Sequence, residues 1–205
     1  GGVGRLRGAE LPQPAASLVT PYLDVVHSFN RGHPFRYYPG SPTIVRSLLR
    51  GRDRLTAIEK HPQDASALRA RFDGDHQARI IELDGWLALG AHLPPKEKRG
   101  LVLVDPPFEE EGEFVRLAEG LARAHRRWPG GIYAFWYPVK DRAAGQRFRT
   151  MLVETAIPGI LDVTLELRNA SAEPRLDGTG MIVVNPPYTL ADELDSLLPA
   201  LAGLL

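Results

Sequence analysis

Between residues 55 and 154 short apolar runs alternate with amphipathic stretches, a pattern that few folds accept. The spacing predicts strands over 55–59, 78–83, 101–105 and 131–137, and helices over 63–72, 86–92, 113–127 and 141–154. Strands separated by helix-length segments cannot form hairpins, so they pair in parallel with the helices packed on the sheet. Leu101-Val102-Leu103-Val104-Asp105 is apolar up to its last residue and is expected to be a central strand buried on both faces. The tail departs from this pattern. Strands expected over 160–168 and 179–185 are joined by a polar, turn-rich connection too short for a crossover helix, so they should pair antiparallel. A helix over 190–201 closes an α/β domain that takes in the whole chain, without internal repeats.

Upstream, residues 1–16 are rich in Gly, Pro and Ala, carry no period, and read as loop or lead-in. Leu18, Tyr22, Val25, Val26 and Phe29 recur at helical steps and predict an amphipathic helix ending before Asn30-Arg31-Gly32. After the Pro39-Gly40-Ser41-Pro42 turn, Ser41 is placed as an N-cap and Pro42 at the first helical position of a helix running to Gly51. Residues 1–38 thus form a lead-in with a small helical piece.

Composition narrows the chemistry. The chain's 205 residues, 43% of them hydrophobic, suffice for one buried core, and no run is long and apolar enough to span a bilayer. Gly1-Gly2-Val3-Gly4-Arg5 lacks the apolar centre of a signal peptide, so a cytoplasmic location is expected. The absence of cysteine removes disulfides, thiolate metal sites and thiol nucleophiles. His27, His33, His61 and His125 show no metal-ligand spacing, and no metal is expected. Twenty-five basic residues balance twenty-five acidic ones. The clusters Arg46, Arg50, Arg52, Arg54 and Arg123, His125, Arg126, Arg127 could still track phosphates, or be ordinary solvated helix faces. Trp86, Trp128 and Trp136 are expected to be core anchors.

In an open parallel sheet, ligands bind beyond the carboxyl ends of the strands. Those positions hold Glu59, Asp84-Gly85 and Asp105-Pro106-Pro107-Phe108. Glu59 suits the hydroxyls of a ribose, Asp84 an adenine amino group, and Gly85 close backbone approach. Asp105-Pro106-Pro107-Phe108 matches the tetrapeptide of enzymes that methylate amino nitrogens. The lone pair of an adenine amino group is delocalised into the ring. A carboxylate and a backbone carbonyl accepting its two N–H groups would favour a pyramidal nitrogen and stabilise developing positive charge. Asp105 would supply the first acceptor and Pro106 the second; Pro107 would help stiffen the turn and Phe108 would stack on an extruded base. Asn185-Pro186-Pro187-Tyr188 is similar but follows the wrong strand, and is expected to be a structural turn.

The chain resembles the bacterial 23S rRNA adenine-N6 methyltransferases of the RlmJ type. The likeness runs from about Tyr22 to the C-terminal helix through Arg36-Tyr37-Tyr38-Pro39-Gly40-Ser41-Pro42, Glu59 with His61-Pro62, Asp84-Gly85, Asp105-Pro106-Pro107-Phe108, Trp136-Tyr137-Pro138 and Gly180 through Pro187. It implies a Rossmann-like class I methyltransferase fold with a mostly parallel central sheet, an antiparallel C-terminal pair and a helical insertion. It implies S-adenosyl-L-methionine contacts at Ser41, Glu59, Asp84, Gly85 and Asp105, catalysis at Asp105, and 23S ribosomal RNA as substrate. Family members carry a further N-terminal segment with the first strand and an Asp-x-x-x-Gly-x-Gly turn. Gly1-Gly2-Val3-Gly4 follows no strand and does not replace it, so the sequence is read as a piece of a longer, monomeric protein. The tetrapeptide alone leaves open DNA adenine, cytosine N4 or a glutamine amide as substrate, or a non-catalytic role in nucleic-acid binding or DNA utilisation.

Overall fold

The computed structural model describes residues 2–31, 35–167 and 175–204. Gly1, His33 and Arg168, on which parts of the sequence reading fall, lie outside the described residues. The chain divides into two compact units, Gly1–Gly85 with Glu193–Leu205, and Trp86–Asp192. The fold is α/β and Rossmann-like, with every helix and strand of the alternating region where the spacing places it.

In the first unit, α1 (Gly2–Arg7) and α2 (Gln13–Ser28) occupy most of the stretch expected to be loop. Composition misleads here because Pro14 stands in the first turn of α2, where its missing N–H has no intrahelical partner to lose and its fixed φ already suits a helix. Ala15, Val19, Val25 and Val26 form the buried face of α2. A second correction concerns α3 (Ser41–Leu48), whose cap is Gly40, with Ser41 already helical and making no side-chain cap bond. β1 (Leu55–Glu59), α4 (Pro62–Arg71) and β2 (Ala78–Glu82) form a βαβ unit with parallel register from Leu55↔Ala78 to Glu59↔Glu82. The turn before β1 is held by Gln77, which is 8% exposed and donates through Nε2 to the Arg50 and Asp53 carbonyls at 2.8 Å each.

α5 (Gly85–Ala91) leads into the second unit. There β3 (Leu101–Val104), α6 (Glu113–Arg127), β4 (Ile132–Val139), α7 (Arg142–Glu154), β5 (Ile160–Glu166) and β6 (Gly178–Val184) build a sheet ordered β3-β4-β6-β5. β3 and β4 are parallel, whereas β6 is antiparallel to both β4 and β5. Val102 and Val104 pack against the core with Tyr133, Phe135, Leu117 and Leu121. The other side of β3 differs from expectation, because Leu101 is 59% and Leu103 45% exposed. β3 is an edge strand of this sheet, and an apolar run reports a preference for burial without reporting what covers each side. Pro138 is tolerated in β4 because β3 ends opposite Phe135, so no strand on that side requires the missing N–H. The last helix, α8 (Leu190–Leu204), runs into the first unit's C-terminal portion. No helix among the described residues is long and apolar enough to cross a membrane.

Candidate active site

In the first unit β1 and β2 end side by side. Glu59 pairs with Glu82 in the parallel register, and the Leu83 amide donates to the Glu59 carbonyl at 3.0 Å. Glu59 and Asp84 therefore share the carboxyl edge of one strand pair. Lys60, next to Glu59 in the chain, pairs with Asp84, its Nζ lying 3.3 Å from Asp84 Oδ2. The Glu59 side chain is half-buried and oriented, since Oε1 accepts the His61 amide at 2.8 Å. That amide belongs to the cap of α4, where Pro62 fixes the first turn, so the βα connection itself sets the carboxylate.

Gly85 opens α5, and a Cβ there would meet no atom within 4 Å, which leaves the space above its backbone open. Exposed Ser41 begins α3, which packs on β1. A helix joined to its strand by the short 49–54 connection runs back along it, and this directs Ser41 toward the carboxyl end of β1. These acceptors fit a ribonucleoside: Glu59 retains acceptor capacity beyond its single amide bond, and open backbone lies next to Asp84.

The second unit holds the tetrapeptide. Asp105 follows β3, and partial burial pushes its carboxyl above the usual carboxylate range. The residue as a whole remains exposed to solvent. Among the described residues no hydrogen-bond donor engages the Asp105 carboxylate or the Pro106 carbonyl. Pro106 is buried, Pro107 exposed, and Phe108 adopts φ 54°, left-handed backbone that is uncommon for a bulky residue. Its half-buried ring meets Phe114 edge-on at 5.1 Å and Trp136 at 5.8 Å. Arg116 braces the following loop by donating to Glu110 and, at 2.9 Å, to Glu113, whose second oxygen is buried without a partner.

Asn185 opens the other proline tetrapeptide and is engaged quite differently. At φ 53° its Nδ2 donates at 2.8 Å to both the Pro129 and Gly131 carbonyls, pinning the end of β6 to the turn before β4. Trp86 and Trp128 pack on the core, and Trp128 closes over Gly131. The basic clusters are partly used within the fold, with Arg46 on Asp75 at 2.6 Å, Arg50 on Asp53 at 3.4 Å and Arg127 on the Leu93 carbonyl at 2.8 Å. Lys60 and Arg116 escaped the sequence reading. For Lys60 the only signal is its place between Glu59 and His61, and for Arg116 its helical spacing from Glu113.

A family model described as "Ribosomal RNA large subunit methyltransferase D, RlmJ" matches residues 1–205. The chain is 42% identical over 178 residues to the ribosomal RNA large subunit methyltransferase J of Escherichia coli (strain K12), which covers 87% of this chain and 64% of that protein. The chain thus spans less than two thirds of that relative's length. It is 37% identical to the protein of the same description from Haemophilus influenzae, covering 100% of this chain and 72% of that protein. A solved Legionella pneumophila structure superposes with a TM-score of 0.87 at 31% identity, covering 98% of this chain and 73% of that one.

Proposed function

The chain belongs to the RlmJ family of ribosomal RNA large subunit methyltransferases, and from that premise we propose that it methylates the N6 amino group of an adenine in 23S ribosomal RNA. S-adenosyl-L-methionine, when bound, supplies an electrophilic methyl group. Glu59 holds the ribose hydroxyls of this cofactor and Asp84 its adenine amino group. The backbone at Gly85 allows close approach, and Ser41 completes the contacts from this unit.

The pair of free acceptors carries this reading. The Asp105 carboxylate and the Pro106 carbonyl, both without donors among the described residues, match the two N–H groups of an exocyclic amine. By accepting both, they draw electron density toward the nitrogen and direct its lone pair away from the ring, and Asp105 offsets the positive charge that develops there. Pro106 and Pro107 keep the two acceptors in fixed relation, and Phe108 offers a ring against the extruded base. The protein acts as a monomer in the cytoplasm and uses no metal.

Transfer of labelled methyl to large-subunit RNA lacking the modification tests the proposal, with nucleoside analysis for N6-methyladenosine. DNA, cytosine-rich RNA and a glutamine peptide serve as comparators. Methylation of a comparator alone, or of no substrate by folded, cofactor-binding protein, would overturn it.

A further inference from the structure

Asn30 is 6% exposed and uses its side chain to hold the loop that follows α2. Its Nδ2 donates to the Val26 carbonyl at 2.9 Å and the Tyr37 carbonyl at 2.7 Å, while Oδ1 accepts the Arg36 and Tyr37 amides at 3.0 Å each. Pro39 is buried just beyond, so the backbone of 36–39 is fixed at both ends. This rigid segment presents two large rings to solvent, Tyr37 at 64% and Tyr38 at 56% exposure. The Tyr38 hydroxyl meets the Tyr22 hydroxyl at 2.9 Å, which braces that ring from α2.

The stretch of sequence that carries these rings, between Asp24 and Asp53, is basic. From Val25 to Arg52 the sequence contains Arg31, Arg36, Arg46, Arg50 and Arg52 and no Asp or Glu. Arg46 and Arg50 are held by carboxylates from farther along the chain. Among the described residues, neither Arg31 nor Arg36 has a carboxylate partner. Exposed aromatic faces on a pre-ordered backbone, flanked by free guanidiniums, suit unpaired bases on a polyanionic strand. A protein interface would instead favour fewer charges at its centre.

We infer that Tyr37 and Tyr38 are stacking surfaces for unpaired bases of the RNA substrate, with Arg31 and Arg36 on its phosphates. The inference rests on the reading that the substrate is RNA. It assigns these residues a role in holding the strand, separate from the amino-group chemistry of Asp105.

Fluorescence anisotropy of the protein with a labelled single-stranded oligoadenylate, and with an RNA duplex of equal length, tests it. Tyr37→Ala and Tyr38→Ala are each expected to weaken single-strand binding about tenfold, with Tyr37→Phe and Tyr38→Phe close to the parent. In methyl transfer, the alanine variants should raise KM for RNA while leaving kcat at saturating RNA and cofactor affinity unchanged. Parental binding and KM in both alanine variants would overturn the inference, as would equal losses in the phenylalanine variants or tighter binding of the duplex. The two readings fail separately. Tyrosine-dependent strand binding without RNA methylation would sink the proposed reaction alone, RNA methylation at parental KM in the alanine variants would sink the platform alone, and no RNA binding by the parent would sink both.

Discussion

The side-chain amide of Asn185 lies 2.8 Å from the carbonyl of Gly131, and a second bond of equal length reaches Pro129. Both N–H groups of that amide are therefore used within the fold. Asp105, in the corresponding place of the other tetrapeptide, has a carboxylate that no donor engages among the described residues. Two near-identical motifs thus have opposite states, one closed on its own chain and one open to a ligand.

Asn185→Ala should accordingly be a stability variant. It strands two carbonyls and places a Cβ residue without a helpful side chain at φ 53°, a combined loss of about 1–3 kcal/mol. Its folded fraction should methylate at the parental rate. Asp105→Ala, which also removes a partly buried charge, should melt no lower than the parent and lose about a hundredfold to a thousandfold in kcat. Thermal melts beside single-turnover methyl transfer check the contrast, and an active Asp105→Ala protein would move the chemistry elsewhere.

Glu59 is oriented by the His61 amide, so its removal acts on binding. Calorimetry with S-adenosyl-L-methionine should show Glu59→Ala weakening affinity by about 1–3 kcal/mol, the usual loss for a charged acceptor. Lys60→Ala breaks a pair whose lysine is 75% exposed and should alter stability by less than about 1 kcal/mol. Unchanged affinity in Glu59→Ala would remove the ribose assignment.

The alternation that defines the fold was legible because buried faces impose a period on sequence. β1 begins and ends at the expected residues, as does α6, and Asp141 caps α7 through a bond to the Ala143 amide. α1 and the start of α2 were not legible, because Gly, Pro and Ala there satisfy helix-start geometry as readily as a loop. The exposure of Leu101 and Leu103 was hidden for a different reason: local pattern cannot tell an edge strand from an interior one. At the candidate site the strand-end acids stood out by position. The support of Asp84 by Lys60, like the closing of Asn185 onto Pro129 elsewhere in the fold, depends on contacts between distant residues that no local pattern encodes.

Gly180 faces Tyr137 across the β4–β6 ladder, and a Cβ on it would lie 2.0 Å from Tyr137 Cζ. The ring cannot retreat easily, because its hydroxyl donates to Asp162 Oδ1 at 2.6 Å and Asp162 also accepts from Arg149 at 2.7 Å. Gly180→Ala should therefore cost about 1–3 kcal/mol by overpacking. Tyr137→Ala alone should destabilise by about 3–5 kcal/mol, the range for deleting a buried aromatic side chain. In the double variant the two losses should be less than additive, since the clash partner is gone. Denaturant unfolding of the four proteins measures the coupling, and strict additivity would show that the ring and the glycine do not constrain each other.

Burial raises the Asp105 carboxyl above the ordinary aspartate range, and that shift links function to stability with a definite sign. Between the unfolded value, about 3.9, and the raised folded value, the unfolded chain is ionised while the folded chain keeps its proton. The folded state then binds more protons, so stability falls as pH rises through that window and stays lower above it. Catalysis needs the opposite state, because only the ionised carboxylate can accept both the hydrogen bond and the developing charge. The acid limb of kcat/KM should therefore lie above the usual aspartate range, with activity lost as pH falls through the raised value. Asp105→Asn removes the titration and the cost of burying a charge while preserving shape. It should be more stable than the parent at neutral pH, show no change of stability relative to the parent below about pH 3.5, and transfer methyl groups about a hundredfold to a thousandfold more slowly. Melting temperature followed against pH for both proteins, with the rate profile of the parent, tests each part. A variant less stable than the parent at neutral pH would show that the carboxylate holds the fold together instead of waiting for a substrate.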